Sequence, residues 1–260
     1  MRDVVDIANT SIYDMYAMID IHTHILPTID DGPTTLSESL EMCRIAVHDG
    51  IRKIIATPHV ENGMYDLDAN KVLEKIRTLN QLVKQEGLDL EIFPGAEVHL
   101  NERLLDAETL MESGILTING GKKYLLLEFP FQWIPSGTEH VIFKLKSLGF
   151  TPILPHLERN FKIQRDPNLI KRFAEMGAVL QVTAQSITGD FDAAPMKCAL
   201  WMLKNNLIDV VASDAHSPVN RPPILSRAVK VASDMLGDEA ARRMVLEHPR
   251  MILEGLPFNK

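Results

Sequence analysis

At 260 residues the chain can bury one substantial core, as a single alpha/beta barrel or as two smaller domains. Its 45% hydrophobic and 24% charged residues exclude a disordered chain, and a formal net charge of −8 weighs against nonspecific binding to nucleic acid or anionic membrane. No apolar run approaches the ~20 residues that span a bilayer, and the acid-bearing start MRDVVDIANTSIYDMYA lacks a signal-peptide core, so a cytoplasmic protein without membrane insertion is expected.

Residues 18–24, MIDIHTH, read as the first strand. Side chains alternate along a strand, so His22 and His24 project from one face about 7 Å apart. Asp30 and Asp31 follow beside Gly32, where a strand opens into a loop. Thr35-Leu-Ser-Glu38 is a capping box for a helix that stops at Asp49-Gly50. Residues 51–57 form the next strand, and Val72, Leu73, Ile76, Leu79, Leu82 and Val83 give helical spacing up to Gly87. Further strands are expected near 88–98, 124–129, 150–154, 178–182 and 209–213, with helices filling most of the intervals. About seven strands in a beta-alpha rhythm, without linker or repeat, predict a parallel sheet, closed as a barrel or open and doubly wound. Chemistry then belongs at the C-terminal strand ends.

Those ends carry His59, Glu97, Glu128, His156 with Glu158 and Arg159 beyond it, and Asp214 with His216. The sixth strand, AVLQVTAQS, offers no strong ligand. Singly, each has an ordinary alternative: the carboxylates can cap helices, and a histidine after proline can bond to turn backbone. Together they bring uncompensated acids and imidazoles to one rim, and bound cations remove the repulsion. The lack of cysteine disfavours structural zinc, and the imidazoles are too many for calcium or magnesium. Mixed nitrogen and oxygen donors suit manganese, iron, cobalt or zinc. Nine candidate side chains exceed what one or two ions can use while leaving room for water, so at least two ions are expected, and about three if Glu97 or another carboxylate bridges. Cys43 and Cys198, inside predicted helices, read as reduced core thiols.

His22-x-His24, Asp31-Gly, Thr57-Pro-His59, Gly95-Ala-Glu97, Glu128-Phe, His156-x-Glu-Arg159, Ser213-Asp214-Ala-His216 and Arg221-Pro-Pro resemble the polymerase-and-histidinol-phosphatase (PHP) superfamily. Within it, DIHTHILPTIDDGP, PHLER and RPP resemble the bacterial manganese-dependent tyrosine phosphatases encoded with capsule and exopolysaccharide genes. The resemblance runs from Met18 to about Gly255. It implies a single-domain distorted parallel (β/α)7 barrel over residues 18–260 holding a trinuclear centre. It assigns His22, His24, Asp31, His59, Glu97, Glu128, His156, Asp214 and His216 as metal ligands and Arg159 and Arg221 as phosphate-binding arginines. Asp30 has no ligand role in that pattern and is expected to orient its loop. Related proteins commonly begin near Met18, so residues 1–17 read as an extension or an upstream start chosen in error.

The chemistry follows from the residues as well. Divalent ions lower the pKa of water, clamp phosphate oxygens and favour in-line displacement, while arginine forks grip oxygens in a way lysine does not. Direct attack by water on a phosphate monoester is expected, with no covalent intermediate. A tyrosine leaving group, pKa about 10, needs little proton donation; Glu158 or a metal-bound water could assist. Neither thiol is a nucleophile of the cysteine-phosphatase kind, because Asp49 and Lys204 stand where the arginine six residues on would be required. Glycine-rich nucleotide loops are absent. Phe129, Phe131 and Trp133 either flank a substrate ring or pack the rim. His48, His99, His140 and His248 lack motif support. By resemblance the substrate is a phosphotyrosine protein, namely the C-terminal tail of a bacterial tyrosine kinase that controls polysaccharide assembly. The alternatives are a phosphatase of the histidinol-phosphate type, a nuclease, or a metal-stabilised module that sequesters a kinase tail.

Overall fold

The fold follows a beta-alpha alternation in a computed structural model that describes residues 17–60, 68–100, 117–121 and 123–258. The expected N-terminal extension, up to residue 16, lies outside the described residues. The first strand, β1 (Met18–Thr23), is wholly buried and leads through the Asp30–Asp31 loop into helix α1 (Leu36–His48). Thr35 caps that helix and Glu38 returns the bond to the cap backbone, completing the anticipated capping box. Helix α2 (Ala69–Gln85) buries Val72, Ile76, Leu79 and Val83, the stripe that helical spacing requires.

Two of the anticipated strands are each divided in two. After β2 (Ile51–Ala56) the chain re-forms as β3 (His59–Val60), and the expected strand over 88–98 is split into β4 (Glu91–Pro94) and β5 (Glu97–His99). Pro58 has no N–H for a ladder, and Gly95 sits where a Cβ would come within 2.8 Å of Ile55 Cγ2. The lower halves stay with β1, in the order β1-β2-β4. The upper halves join β6 (Tyr124–Glu128), β7 (Thr151–Leu154), β8 (Val179–Thr183) and β9 (Val210–Ala212), in the order β3-β5-β6-β7-β8-β9. The described residues thus hold nine strands rather than about seven, and every pairing among them is parallel. At the far side the exits of β1 and β9 meet: His24 N–H donates to Ala215 O (2.8 Å) and Asp214 N–H to His22 O (2.9 Å).

Helices α3 (Thr138–Ser147), α4 (Phe161–Arg165), α5 (Asn168–Glu175), α6 (Ala184–Thr188), α7 (Ala193–Lys204), α8 (Ser226–Leu236), α9 (Asp238–Arg242) and α10 (His248–Leu253) complete the alternation. A large apolar cluster joins helix stripes to one strand face, and a smaller one, with Leu126, Ile153, Val179 and Val210, lies on the other. The period of two then sets the site. On β6, Tyr124 and Leu126 precede Glu128 on the same face; on β8, Val179 precedes Gln181; beyond β9, Asp214 follows Val210 and Ala212. On these three faces the entering positions are apolar and the last position is polar.

Candidate metal centre

The polar strand ends converge. His22 leaves β1 buried, and its Nε2 lies 3.3 Å from that of His24. The break at Pro58 brings His59 in, and the break at Gly95 brings in Glu97, whose N–H donates to Pro58 O (3.0 Å). Glu97 is the hub: its Oε2 lies 3.2 Å from His22 Nε2, His24 Nε2 and His59 Nδ1, and its Oε1 lies 2.8 Å from His156 Nε2. Glu128 Oε2 stands 3.6 Å from His59 Nδ1. Asp31 Oδ1 reaches His216 Nε2 at 3.4 Å and His59 Nε2 at 3.6 Å, and Asp214 Oδ1 lies 3.5 Å from His22 Nε2. All nine residues expected as ligands are therefore brought together.

They fall into four overlapping groups whose donor atoms lie within 4.8 Å of one another: His24, Asp31, His59 and His216; His22, His24 and Asp214; His22, Glu97 and His156; and His59, Glu97 and Glu128. Glu97 Oε2 is buried among three imidazoles yet takes no directed hydrogen bond. A buried carboxylate oxygen left so is costly, and a cation completes it. The donor set, nitrogen and oxygen without sulfur, fits a first-row divalent ion.

Charge in the cluster is strongly redistributed. Burial disfavours ionisation of Glu97, but His22, His156 and His24 outweigh it and hold the carboxyl well below its usual range. Burial likewise opposes protonation of His22 and His24, and Glu97 and Asp214 for the first, Asp30 and Glu97 for the second, raise them above the ordinary imidazole value. Burial raises Asp214 and is overcome by Arg221, His22, His216 and Arg159, so it too is held low; a hydrogen bond from His216 lowers Asp31. The acids stay ionised and demand positive charge beside them, which protons on histidine or metal ions supply.

Three imidazoles are oriented from behind. His22 Nδ1 meets Gln181 Oε1 at 2.9 Å, His24 Nδ1 meets Asp30 Oδ2 at 2.7 Å, and His216 Nδ1 meets Asp214 O at 2.9 Å. In each case Nε2 is turned to the cluster, the arrangement by which outer partners set the tautomer and raise ligand basicity. Asp30 does orient its loop, since it also accepts from His59 N–H (3.1 Å) and Gly32 N–H (3.0 Å). Sequence reasoning does not find Gln181, because an acceptor behind a ligand lies inside a strand and carries no motif of its own. His99, which lacks motif support, nevertheless places its Nδ1 3.1 Å from Glu128 Oε2. The signal was present: Glu97-x-His99 has the same-face spacing as His22-x-His24. Asp20, on the same alternation, is fully buried, accepts from Ser213 N–H (3.0 Å) and is pushed up to about 6 by burial. His156 and Asp214 hold left-handed backbone, φ 35° and 52°, a strain that persists at functional sites where the surroundings over-determine it.

At the mouth, Asp214 Oδ2 takes Arg159 Nη1 (2.7 Å) and Arg221 Nη2 (2.5 Å), so both expected arginines face the cluster. A cleft of about 70 Å³ is lined by seven of the nine donors with Phe131, Arg159 and Arg221. Glu158 is not there. It is fully buried, its Oε1 accepts from Thr183 N–H (3.1 Å), and it does not line the cleft. Phe129 packs edge-on against Phe173 in the core, Phe131 stands against His156 and Arg159, and Trp133 is exposed.

Comparison with known proteins agrees with this arrangement. The chain is 37% identical over 236 residues to the tyrosine-protein phosphatase YwqE of Bacillus subtilis, covering 91% of each. It is 30% identical over 246 residues to the tyrosine-protein phosphatase CpsB of Streptococcus pneumoniae, covering 91% of this chain and 98% of that one. A crystallised relative, from work on YwqE and CpsB as metal-dependent tyrosine phosphatases, superimposes with a TM-score of 0.87 at 36% identity, over 93% of this chain and 96% of that one. The family described as capsular polysaccharide synthesis, CpsB/CapC, matches residues 18–254, and the chain belongs to that family.

Proposed function

We propose that this protein is a metal-dependent protein-tyrosine phosphatase, hydrolysing phosphotyrosine by direct attack of water. The observation that carries this reading is the cluster centred on Glu97, in which nine donors including Glu97 converge and two arginines are held at the mouth by one carboxylate oxygen. The names of the relatives point the same way. In this reading His22, His24, Asp31, His59, Glu97, Glu128, His156, Asp214 and His216 hold about three divalent ions, manganese before iron, cobalt or zinc. Such ions, when bound, acidify water and neutralise phosphate charge.

The chain's own residues do the rest. Arg159 and Arg221 grip phosphate oxygens with the donors that Asp214 leaves unused; Arg221 Nε is buried with no protein partner. Gln181 and Asp30 hold His22 and His24 in one tautomer. Tyrosinate leaves with little help, which suits a cleft that Glu158 does not enter. The parallel bridge Thr23–Ala215, which ties the two sheets, supports reading them as the distorted barrel of a PHP-type domain over residues 18–260. The substrate is the tyrosine-bearing C-terminal tail of a bacterial kinase that regulates capsule or exopolysaccharide synthesis, in the cytoplasm; among the described residues no helix is long and apolar enough to cross a membrane.

The test assays metal-stripped protein, restored with manganese, iron, cobalt, zinc or magnesium in turn, against a phosphotyrosine peptide, histidinol phosphate and short oligonucleotides. Peptide hydrolysis restored by manganese and lost in His156→Ala and Arg159→Ala is the expected result. Selective hydrolysis of histidinol phosphate or oligonucleotide would replace the substrate, and no turnover with any metal would leave a binding module.

A further inference from the structure

We infer that Phe191, on the loop between α6 and α7, is a positioning residue for the arginine pair. Its ring faces both guanidinium groups, with the central carbon of Arg159 5.0 Å and that of Arg221 5.7 Å from the ring centre. The Phe131 ring also stands against Arg159, at 4.6 Å. Two guanidinium groups sharing one carboxylate oxygen repel each other, and a ring that attracts both offsets that repulsion. A phenyl ring takes no N–H donor in hydrogen bonding, so it sets the planes of the forks while leaving their donors for phosphate.

The loop is built to hold this ring. Gly189 turns the chain at φ 81°, where a Cβ would approach Met196 Sδ to 2.7 Å. Asp190 then receives a fork from Arg227 on α8 (2.8 and 3.2 Å) and the Thr188 hydroxyl. Gln185 Nε2 donates to Asn220 O (3.2 Å), tying α6 to the loop that carries Arg221. Phe191 therefore arrives from an anchored segment, and it follows the ligand-poor sixth strand in a region that no motif marks.

The inference rests on the phosphate role given to the arginines, and its test does not depend on which ester is cleaved. Binding of inorganic phosphate to metal-loaded protein is measured by calorimetry for wild type, Phe191→Leu and Phe191→Tyr, beside metal content, thermal midpoint and turnover of phosphotyrosine peptide. Phe191→Leu is expected to weaken phosphate about tenfold, with KM raised more than kcat falls, while metal content and midpoint hold. Phe191→Tyr, which keeps the ring, is expected to restore it. Should Phe191→Leu not fold, Arg227→Gln, which frees the loop, is expected to weaken phosphate in the same direction. Unchanged phosphate affinity in the folded variant overturns the inference, as does an equal loss in Phe191→Tyr. Lost preference for aryl esters with phosphate affinity intact would overturn it too, by assigning the ring to the substrate. Failure of wild type to cleave the peptide, with phosphate still weakened in Phe191→Leu, would strike the proposed substrate and leave this inference standing.

Discussion

At the scale of single residues, the centre divides into donors that face the cluster and groups that stand behind them. Gln181 is of the second kind, and its Nε2 is itself buried without a partner. Gln181→Leu should lower metal affinity about 10–100-fold, read by competition with a chelator, because His22 loses the acceptor that sets its tautomer. The thiols give a second residue-scale prediction. Burial pushes Cys43 up to about 12, and burial together with Glu158 does the same to Cys198. Thiolate is the reactive form, so at pH 8 neither should react with a thiol reagent in the native protein, and both should in denaturant. That the nine donors and Arg159 share one rim was legible in the sequence because most of them lie at or just beyond expected strand ends, whereas Arg221 is marked only by the family's Arg-Pro-Pro motif. Gln181 and Phe191 were not legible, since one sits inside a strand and the other in an unmarked loop. What gives them a role is the chain they meet, far away in sequence.

At the scale of elements, helix ends and strand breaks do the placing. Asp49 ends α1 and also serves α8: its Oδ2 accepts from Leu225 N–H (2.6 Å) and Ser226 N–H (3.0 Å), and its Oδ1 from the Ser226 hydroxyl (2.5 Å). Asp49→Ala should cost about 1–2 kcal/mol, the worth of a strong cap, measured as a shift in denaturant midpoint. The capping box and the buried stripe of α2 were readable because they are local patterns. The double splitting of strands at Pro58 and Gly95 was not. Its proline and glycine were visible, but the exchange of sheets depends on β6 waiting to pair with β5. That partner lies beyond residue 117, and no local pattern specifies it. The break matters for function, since it aims His59 and Glu97 at the same point.

At the scale of the whole molecule, the centre joins strands from both sheets and both ends of the chain, so metal binding and folding are linked. Ions that bind only the folded chain stabilise it, and at about a hundredfold excess over Kd the gain is about 2.7 kcal/mol. On a chain of this size that corresponds to about 5–10 °C, so stripping the ions should lower the thermal midpoint by that much, and manganese should restore it. If the nine donors form one metal centre that drives phosphotyrosine hydrolysis, bound metal and turnover must rise and fall together. This is tested most directly by titrating manganese into stripped protein while following bound metal and peptide turnover together, for wild type and Glu97→Gln. Turnover is expected to rise with bound metal until about three ions per chain, and Glu97→Gln to lose both. Full turnover in rigorously stripped protein, or a Glu97→Gln variant that binds metal and turns over like wild type, would contradict this.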